Sequence, residues 1–289
     1  MPSSFLSECK QKVLNRIESL LVNKDQITSS MRYSALADSK CIRAGLVFAS
    51  GKLEGQLDEA GLTDIATSIE LMHSYSLIHD DLPAMDDDGM RRGQPSNHVK
   101  FNEATAILAG DALQALAFET IASSKSITDA HKVEAVRMLA AACGHQGMVL
   151  GQQYDLDAEK NELLDIELIH SLKTAKLIQV ALTMPYLGNE MHKKTQVLLD
   201  SLGGKIGLAF QIMDDVLEVS SDSVTLGKSN LSDITNKKMT YVSVYGLEAS
   251  IQKAEALSNF CVKQIQENFE IDKARELIEL THLMVSRSN

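Results

Sequence analysis

The stretch KIGLAFQIMDDVLEV, Lys205 to Val219, decides the fold class. Ile206, Leu208, Phe210, Ile212, Met213, Val216 and Leu217 cover most sides of a helix of this sequence, the mark of a helix buried in a core. Gly207, Gln211, Asp214, Asp215 and Glu218 fall at helical spacing on one narrow stripe. Three carboxylates on a buried helix are very costly to desolvate unless they face a solvated cavity or a cation. The pattern by itself admits either such a site or a plain solvent face.

Outward from this stretch, apolar residues recur at helical spacing through nearly every segment, as in Val13, Ile17, Leu20 and Leu21, or Ile251, Ala254, Leu257, Cys261 and Ile265. No segment reads as a sustained alternating strand. The 289 residues include only 4 prolines, where average usage would give roughly fourteen, so few positions force a helix to break. Without a repeat, a low-complexity tract or a composition shift, residues 1–289 read as a single all-α domain, a bundle of ten or more helices.

The net charge of −11 argues against nucleic acid or an anionic membrane as partner, since both require a basic footprint. It leaves room for an anionic ligand bound through a divalent cation. Cys9, Cys41, Cys143 and Cys261 form no metal-binding spacing and read as reduced thiols of a cytoplasmic protein. The N-terminus lacks the apolar core of a signal peptide, and no uninterrupted apolar run reaches the length of a membrane span.

A second acidic cluster lies in MHSYSLIHDDLPAMDDDGMRRG, Met72 to Gly93, where Asp80, Asp81, Asp86, Asp87 and Asp88 end an apolar run and precede Arg91 and Arg92. Carboxylates this dense are stable in water, beside the arginines or around cations, and hard oxygen ligands suit Mg²⁺ or Ca²⁺. A calcium EF-hand fails on register, because Ala84 and Pro95 would stand at its first and twelfth positions. Mg²⁺ takes one or two carboxylates plus phosphate oxygens of a substrate, so two acidic clusters and an arginine pair point to a diphosphate site. His73, two helical turns before Asp80, is placed to contact the ligand. On an ideal helix Asp80 and Asp86 stand about 120° apart. Pro83 therefore predicts a kink or bulge between Leu82 and Asp86 that returns Asp86 towards Asp80.

These two stretches, with the intervening QPSNHVKFNEATAILAGDAL, resemble the aspartate-rich motifs of the trans-isoprenyl diphosphate synthases, nearest to the bacterial farnesyl-forming members. The resemblance runs from MRYSAL, beginning at Met31, to the C-terminal region. It implies an isoprenoid synthase fold in which the clusters face a central cavity and hold three Mg²⁺ ions against an allylic diphosphate. Asp80, Asp81 and Asp86 would be ligands from the first motif, and Asp214, Asp215 and Glu218 from the second. Arg91, Lys173, Lys228 and Lys238 match positions that hold the allylic diphosphate, dimethylallyl or geranyl. Lys40, Arg43, His73 and Arg92 match those that hold isopentenyl diphosphate. Thr174 and Gln211 match polar groups beside the allylic carbon, so Lys173, Thr174, Gln211 and Lys238 are the expected catalytic residues. The implied reaction ionises the allylic diphosphate, adds isopentenyl diphosphate and loses a proton to the released pyrophosphate, giving (2E,6E)-farnesyl diphosphate. A homodimer is expected from the resemblance alone.

Tyr75, five residues before Asp80, would form the floor that stops the growing chain at fifteen carbons. The chain departs from the family pattern where the usual GGKRLRP reads DSKCIRA, Asp38 to Ala44, and where Glu218 replaces an aspartate. Two alternatives remain open here: a geranylgeranyl diphosphate synthase, and a catalytically weak regulatory subunit, although such subunits generally lose acids that this chain keeps.

Overall fold

The computed structural model describes residues 4–55, 57–158, 165–188, 193–225 and 239–286, with the side chains of 220–225 excepted. It divides into two compact units, Met1–Leu139 with Ala181–Lys193, and Ala140–Val180 with Lys194–Asn289. The described residues are overwhelmingly helical, as the apolar periodicity predicts.

In the first unit, α1 (Ser4–Leu20), α2 (Gln26–Ala35), α3 (Ile42–Glu54) and α4 (Glu59–Asp80) lead to a short hairpin of β1 (Met90–Arg91) and β2 (Gln94–Pro95). Then come α5 (Asn97–Lys100), α6 (Glu103–Ala122) and α7 (Asp129–Cys143), whose last residues enter the second unit. Helix starts follow local chemistry: Asp25 and Asp58 accept the Thr28 and Gly61 N–H groups, and Asn102 accepts that of Thr105, each capping free donors of a first turn. Leu6, Val13 and Ile17 of α1 and Ile65, Ile69 and Met72 of α4 are buried. So are Ala106, Ala109, Leu113, Ala117 and Ile121 of α6, which packs along α4. Among the described residues α6 is the one helix long and apolar enough, by length and composition, to cross a membrane. In this unit one side of it is taken up by α4: the Ser68 hydroxyl donates to the Ala117 carbonyl across the pair at 2.6 Å.

The second unit takes in α8 (Met148–Ala158), α9 (Ile166–His170) and a π-helical turn, Ser171–Ala175, that runs into α10 (Lys176–Thr183), whose last three residues belong to the first unit. It continues through α11 (Lys193–Thr225), α12 (Tyr241–Tyr245), α13 (Leu247–Asn268) and α14 (Ile271–Val285). Its core gathers Ile166, Ile169, Ala209, Ile212, Met213, Val216, Tyr241, Ala254 and Val285. α11 spans 33 residues without a proline or a break, as the shortage of prolines allows.

Two local expectations change. The chain neither kinks nor bulges at Pro83: α4 ends at Asp80, and residues 81–86 turn back until the Asp86 N–H meets the Asp80 carbonyl at 2.9 Å. Proline lacks the N–H a further helical turn requires, so the helix stops and the return of Asp86 is made by a loop. The hairpin is the other change. Arg92 and Gly93 both hold positive φ, 53° and 76°, as the two central residues of a type I′ turn must. Strands of two residues carry no readable alternation.

Candidate functional site

In the first unit the end of α4, the turn and the hairpin bring opposite charges together. Asp81 is buried, and the Arg91 guanidinium holds its Oδ1, with Nε at 2.9 Å and a second donor from Nη2. Arg91 also lies 3.3 Å from Asp88. Burial pushes the Asp81 carboxyl above its usual range, and the Arg91 contact opposes that rise. Asp81 is therefore committed to placing Arg91, while Asp80 and Asp86 are joined by the turn between them. Behind the hairpin a cleft is lined by Tyr33, Ser74, Asp81, Arg91, Arg92 and Asn97.

Deeper in the same unit, Arg43 on the first turn of α3 lies 3.2 Å from His73 Nε2 on α4. Burial drives the His73 pKa well below its ordinary value, helped by the positive charges of Arg43, Arg92 and Arg91. Three of the four residues matched to isopentenyl diphosphate thus share one cationic neighbourhood, and Lys40 is exposed on the loop before α3. Glu70, which the sequence reading missed, sits beneath them. It is buried, and its Oε1 accepts the Ala44 N–H at 2.9 Å. Burial raises its pKa and the Arg43 charge lowers it. The proline usual at position 44 has no N–H to give, so the departure at Ala44 is coupled to Glu70. Asp38, another departure, is exposed and paired with Lys10 at 2.6 Å.

Tyr75 is buried, edge-on to His79 with ring centroids 5.7 Å apart. His79 Nε2 lies 3.1 Å from the Ile107 carbonyl, a position open only because residue 110 is glycine: a Cβ there would stand 2.1 Å from that nitrogen.

In the second unit Lys173 and Thr174 ride on the π-helical turn, a feature that recurs at functional sites because the extra residue re-aims side chains. Two glycines let the turn be approached closely. A Cβ on Gly151 would stand 2.2 Å from Lys173 N, and one on Gly207 would stand 2.5 Å from Ala175 Cα. Lys173 Nζ donates to Asp155 at 2.6 Å. The Thr174 hydroxyl donates to Gln211 Oε1 at 2.7 Å, and Gln211 Nε2 donates to Asp215 Oδ1 at 3.2 Å. Asp215 Oδ2 accepts the Tyr241 N–H at 2.7 Å and lies 3.4 Å from His170 Nε2.

The acidic stripe of α11 is not uniform. Asp215 is buried, Asp214 half-buried and Glu218 exposed. Burial pushes the Asp215 carboxyl up to about 6 against the Tyr241 and Gln211 hydrogen bonds, and burial holds His170 down at about 4. Lys228 and Lys238 lie outside the described residues. Besides Glu70, the sequence reading missed Asp155, His170 and Gln152, whose amide is buried with no hydrogen-bond partner among the described residues. The available signal was the run of polar residues in GQQYDLD, Gly151 to Asp157, set into an otherwise apolar helix.

Among the described residues no three His, Cys, Asp or Glu side chains are gathered as a ready-made metal cage. Mg²⁺ keeps its waters and completes its shell with phosphate oxygens, so it requires no such cage. Asp80 and Asp86 are half-buried in the first unit, and in the second Asp214 is half-buried and Glu218 exposed.

A family model described as polyprenyl synthetase matches residues 24–279. The chain is 42% identical over 257 residues to the farnesyl diphosphate synthase of Escherichia coli, covering 87% of this chain and 86% of that one. To the farnesyl diphosphate synthase of Haemophilus influenzae it is 41% identical over 244 residues, covering 83% and 82%. Among solved structures it is similar to a geranyltransferase from Legionella pneumophila, with a TM-score of 0.87, 33% identity, and 99% and 97% of the two chains covered.

Proposed function

Since this chain belongs to the polyprenyl synthetase family, we propose that it is a Mg²⁺-dependent prenyltransferase that makes farnesyl diphosphate. It condenses isopentenyl diphosphate with dimethylallyl or geranyl diphosphate and releases pyrophosphate. The family model spans residues of both units, which supports treating the chain as one catalytic domain.

The observation that carries the reading is the cationic neighbourhood of Arg43, His73 and Arg92 in the same unit as the Asp80–Asp86 turn. An enzyme that only ionises an allylic diphosphate, such as a terpene cyclase, needs no second set of cations. In this reading Arg43, His73 and Arg92, with Lys40, orient isopentenyl diphosphate. Arg91, fixed by Asp81, and Lys173, fixed by Asp155, hold the allylic diphosphate with Lys228 and Lys238. Asp80, Asp86, Asp214 and Glu218, with Asp81 and Asp215 in support, would hold three Mg²⁺ ions, which would supply positive charge to offset that on the departing pyrophosphate. Thr174 and Gln211 present oxygens to the allylic cation. The apolar sides of α4 and α11 keep out water that would quench it. No protein nucleophile is required.

Tyr75 sets the floor for a fifteen-carbon product. The protein works in the cytoplasm as a homodimer: four buried cysteines, none in a disulfide, suit a reducing compartment, and the exposed Ile107 and Leu108 of α6 suit contact with a second copy. The test is incubation with Mg²⁺, isopentenyl diphosphate and either allylic diphosphate, with product analysis. Farnesyl diphosphate is expected from both, and failure to elongate either one refutes the reading.

A further inference from the structure

The chain of hydrogen bonds in the second unit has a direction. Thr174 donates to Gln211 Oε1 at 2.7 Å, Gln211 Nε2 donates to Asp215 Oδ1 at 3.2 Å, and Asp215 Oδ2 receives the Tyr241 N–H at 2.7 Å. His170 Nδ1 is buried without a partner among the described residues, so its ring proton belongs on Nε2, which faces Asp215 Oδ2 at 3.4 Å. His170 is also stacked on Tyr241, with ring centroids 6.3 Å apart. Both oxygens of Asp215 are thus met by protein donors, and the residue is only 4% exposed.

We infer that Asp215, seated by His170 and the Tyr241 N–H, is a positioning residue that fixes the Gln211 amide and, through it, the direction of the Thr174 hydroxyl. The inference rests on the proposed function, which sets Thr174 beside the reacting carbon. A glutamine amide fits nearly as well when turned by half a revolution, its oxygen and nitrogen exchanged. A carboxylate accepts hydrogen bonds and gives none, so Asp215 admits only the orientation with Nε2 towards it. Gln211 Oε1 then faces Thr174, whose single proton must go to that oxygen. The remaining lone pairs of Thr174 Oγ1 are left for the substrate, where they stabilise a developing allylic cation. The opposite amide orientation would make Thr174 an acceptor and turn its proton outward, against that positive charge. Asp215 acts through Gln211, which leaves Asp214 and Glu218 as the ligands of the second acidic cluster.

Asp215→Asn keeps the shape and gives Gln211 a partner that can either donate or accept. With geranyl and isopentenyl diphosphates, kcat should fall by about 10- to 100-fold while KM for both substrates stays within about threefold. Mn²⁺ binding in the presence of inorganic pyrophosphate, followed by electron paramagnetic resonance, should stay within about twofold of the unaltered protein. A loss of Mn²⁺ affinity that matches the loss of kcat makes Asp215 a metal ligand and overturns the inference. So does an unchanged kcat.

Thr174→Val removes the far end of the relay without disturbing the carboxylate. In that background Asp215→Asn should lower kcat by less than twofold, and a full additional loss overturns the inference. If the unaltered protein elongates neither allylic diphosphate, the proposed function has failed, and the relay is then judged by the Gln211 side-chain amide signal in ¹⁵N-labelled protein. That signal should shift on Asp215→Asn, and an unmoved signal overturns the relay by itself.

Discussion

Replacing Gly151 by alanine adds one methyl group to α8 where the backbone of another segment already stands. The new carbon would lie 2.2 Å from Lys173 N, 2.6 Å from Lys173 Cα and 2.8 Å from Leu172 C. Ordinary contact begins near 3.4 Å, so the two segments must separate by about 1.2 Å, the difference between 3.4 and 2.2. All three atoms are backbone, and no side chain can swing aside to absorb the strain. Overpacking of this kind costs about 1–3 kcal/mol, which lowers Tm by a few degrees to about ten in a chain of this size. Asp155 sits one turn beyond Gly151 on the same helix and holds Lys173 at 2.6 Å, so the displacement also moves Lys173. On the role proposed for Lys173, a shift of about 1 Å costs roughly 100-fold in rate. The assay pairs thermal unfolding with turnover of geranyl diphosphate. Gly204→Ala on α11 is the control, because its nearest neighbour would be the end of the Gln179 side chain at 3.5 Å. That variant should keep full activity and gain about 0.5–1 kcal/mol from the better helix former. Should Gly151→Ala match the control in Tm and turnover, the steric account of this contact is wrong.

Tyr75→Ala removes the ring that packs on His79 and should yield products longer than fifteen carbons, read by chromatography of the dephosphorylated prenols; an unchanged product length places the floor elsewhere. Ala44→Pro restores the residue usual in the family but strips the N–H that Glu70 accepts at 2.9 Å. It should cost about 1–3 kcal/mol for the buried acceptor left short of a donor, and denaturant unfolding with no change of midpoint contradicts the coupling. Lys253→Met tests the clamp at Glu167, whose Oε1 takes Lys253 Nζ and the Tyr241 hydroxyl at 2.9 Å each. The Lys253 hydrogen bond, chiefly, holds the Glu167 carboxyl below its ordinary 4.5. A lowered acid adds stability above its unfolded pKa and loses it as pH falls through the folded value. The variant should therefore be about 0.5–1 kcal/mol weaker at pH 7, allowing for the partial exposure of both groups. The gap should close in acid below pH 4.5, and a gap independent of pH rules out this account.

Much of the architecture was legible because it depends on neighbours three, four and seven residues apart. The periodic apolar residues of α4 and α11, the capping residues Asp25 and Asp58, and the two acidic clusters all announce themselves at that range. The termination of α4 was half legible: Pro83 marked the place, but whether the chain would bend or stop depends on bonds such as the Asp86 N–H to the Asp80 carbonyl. The hairpin at Arg92 and Gly93 was hidden by the shortness of its strands.

The sequence by itself determined that this protein is an all-α member of its family with two carboxylate clusters and a set of cations, since residue types and helical spacing are enough for that. Only the tertiary structure decided how those charges are used. It commits Asp81 to Arg91, Glu70 to the Ala44 N–H, Lys173 to Asp155 and Asp215 to Gln211 and Tyr241. Most of these partners lie well beyond one helical turn, and nothing in local periodicity encodes which distant donor a buried carboxylate will meet. Burial makes the choice, because a charge taken out of water must find its hydrogen bonds among whatever groups the packing has brought beside it.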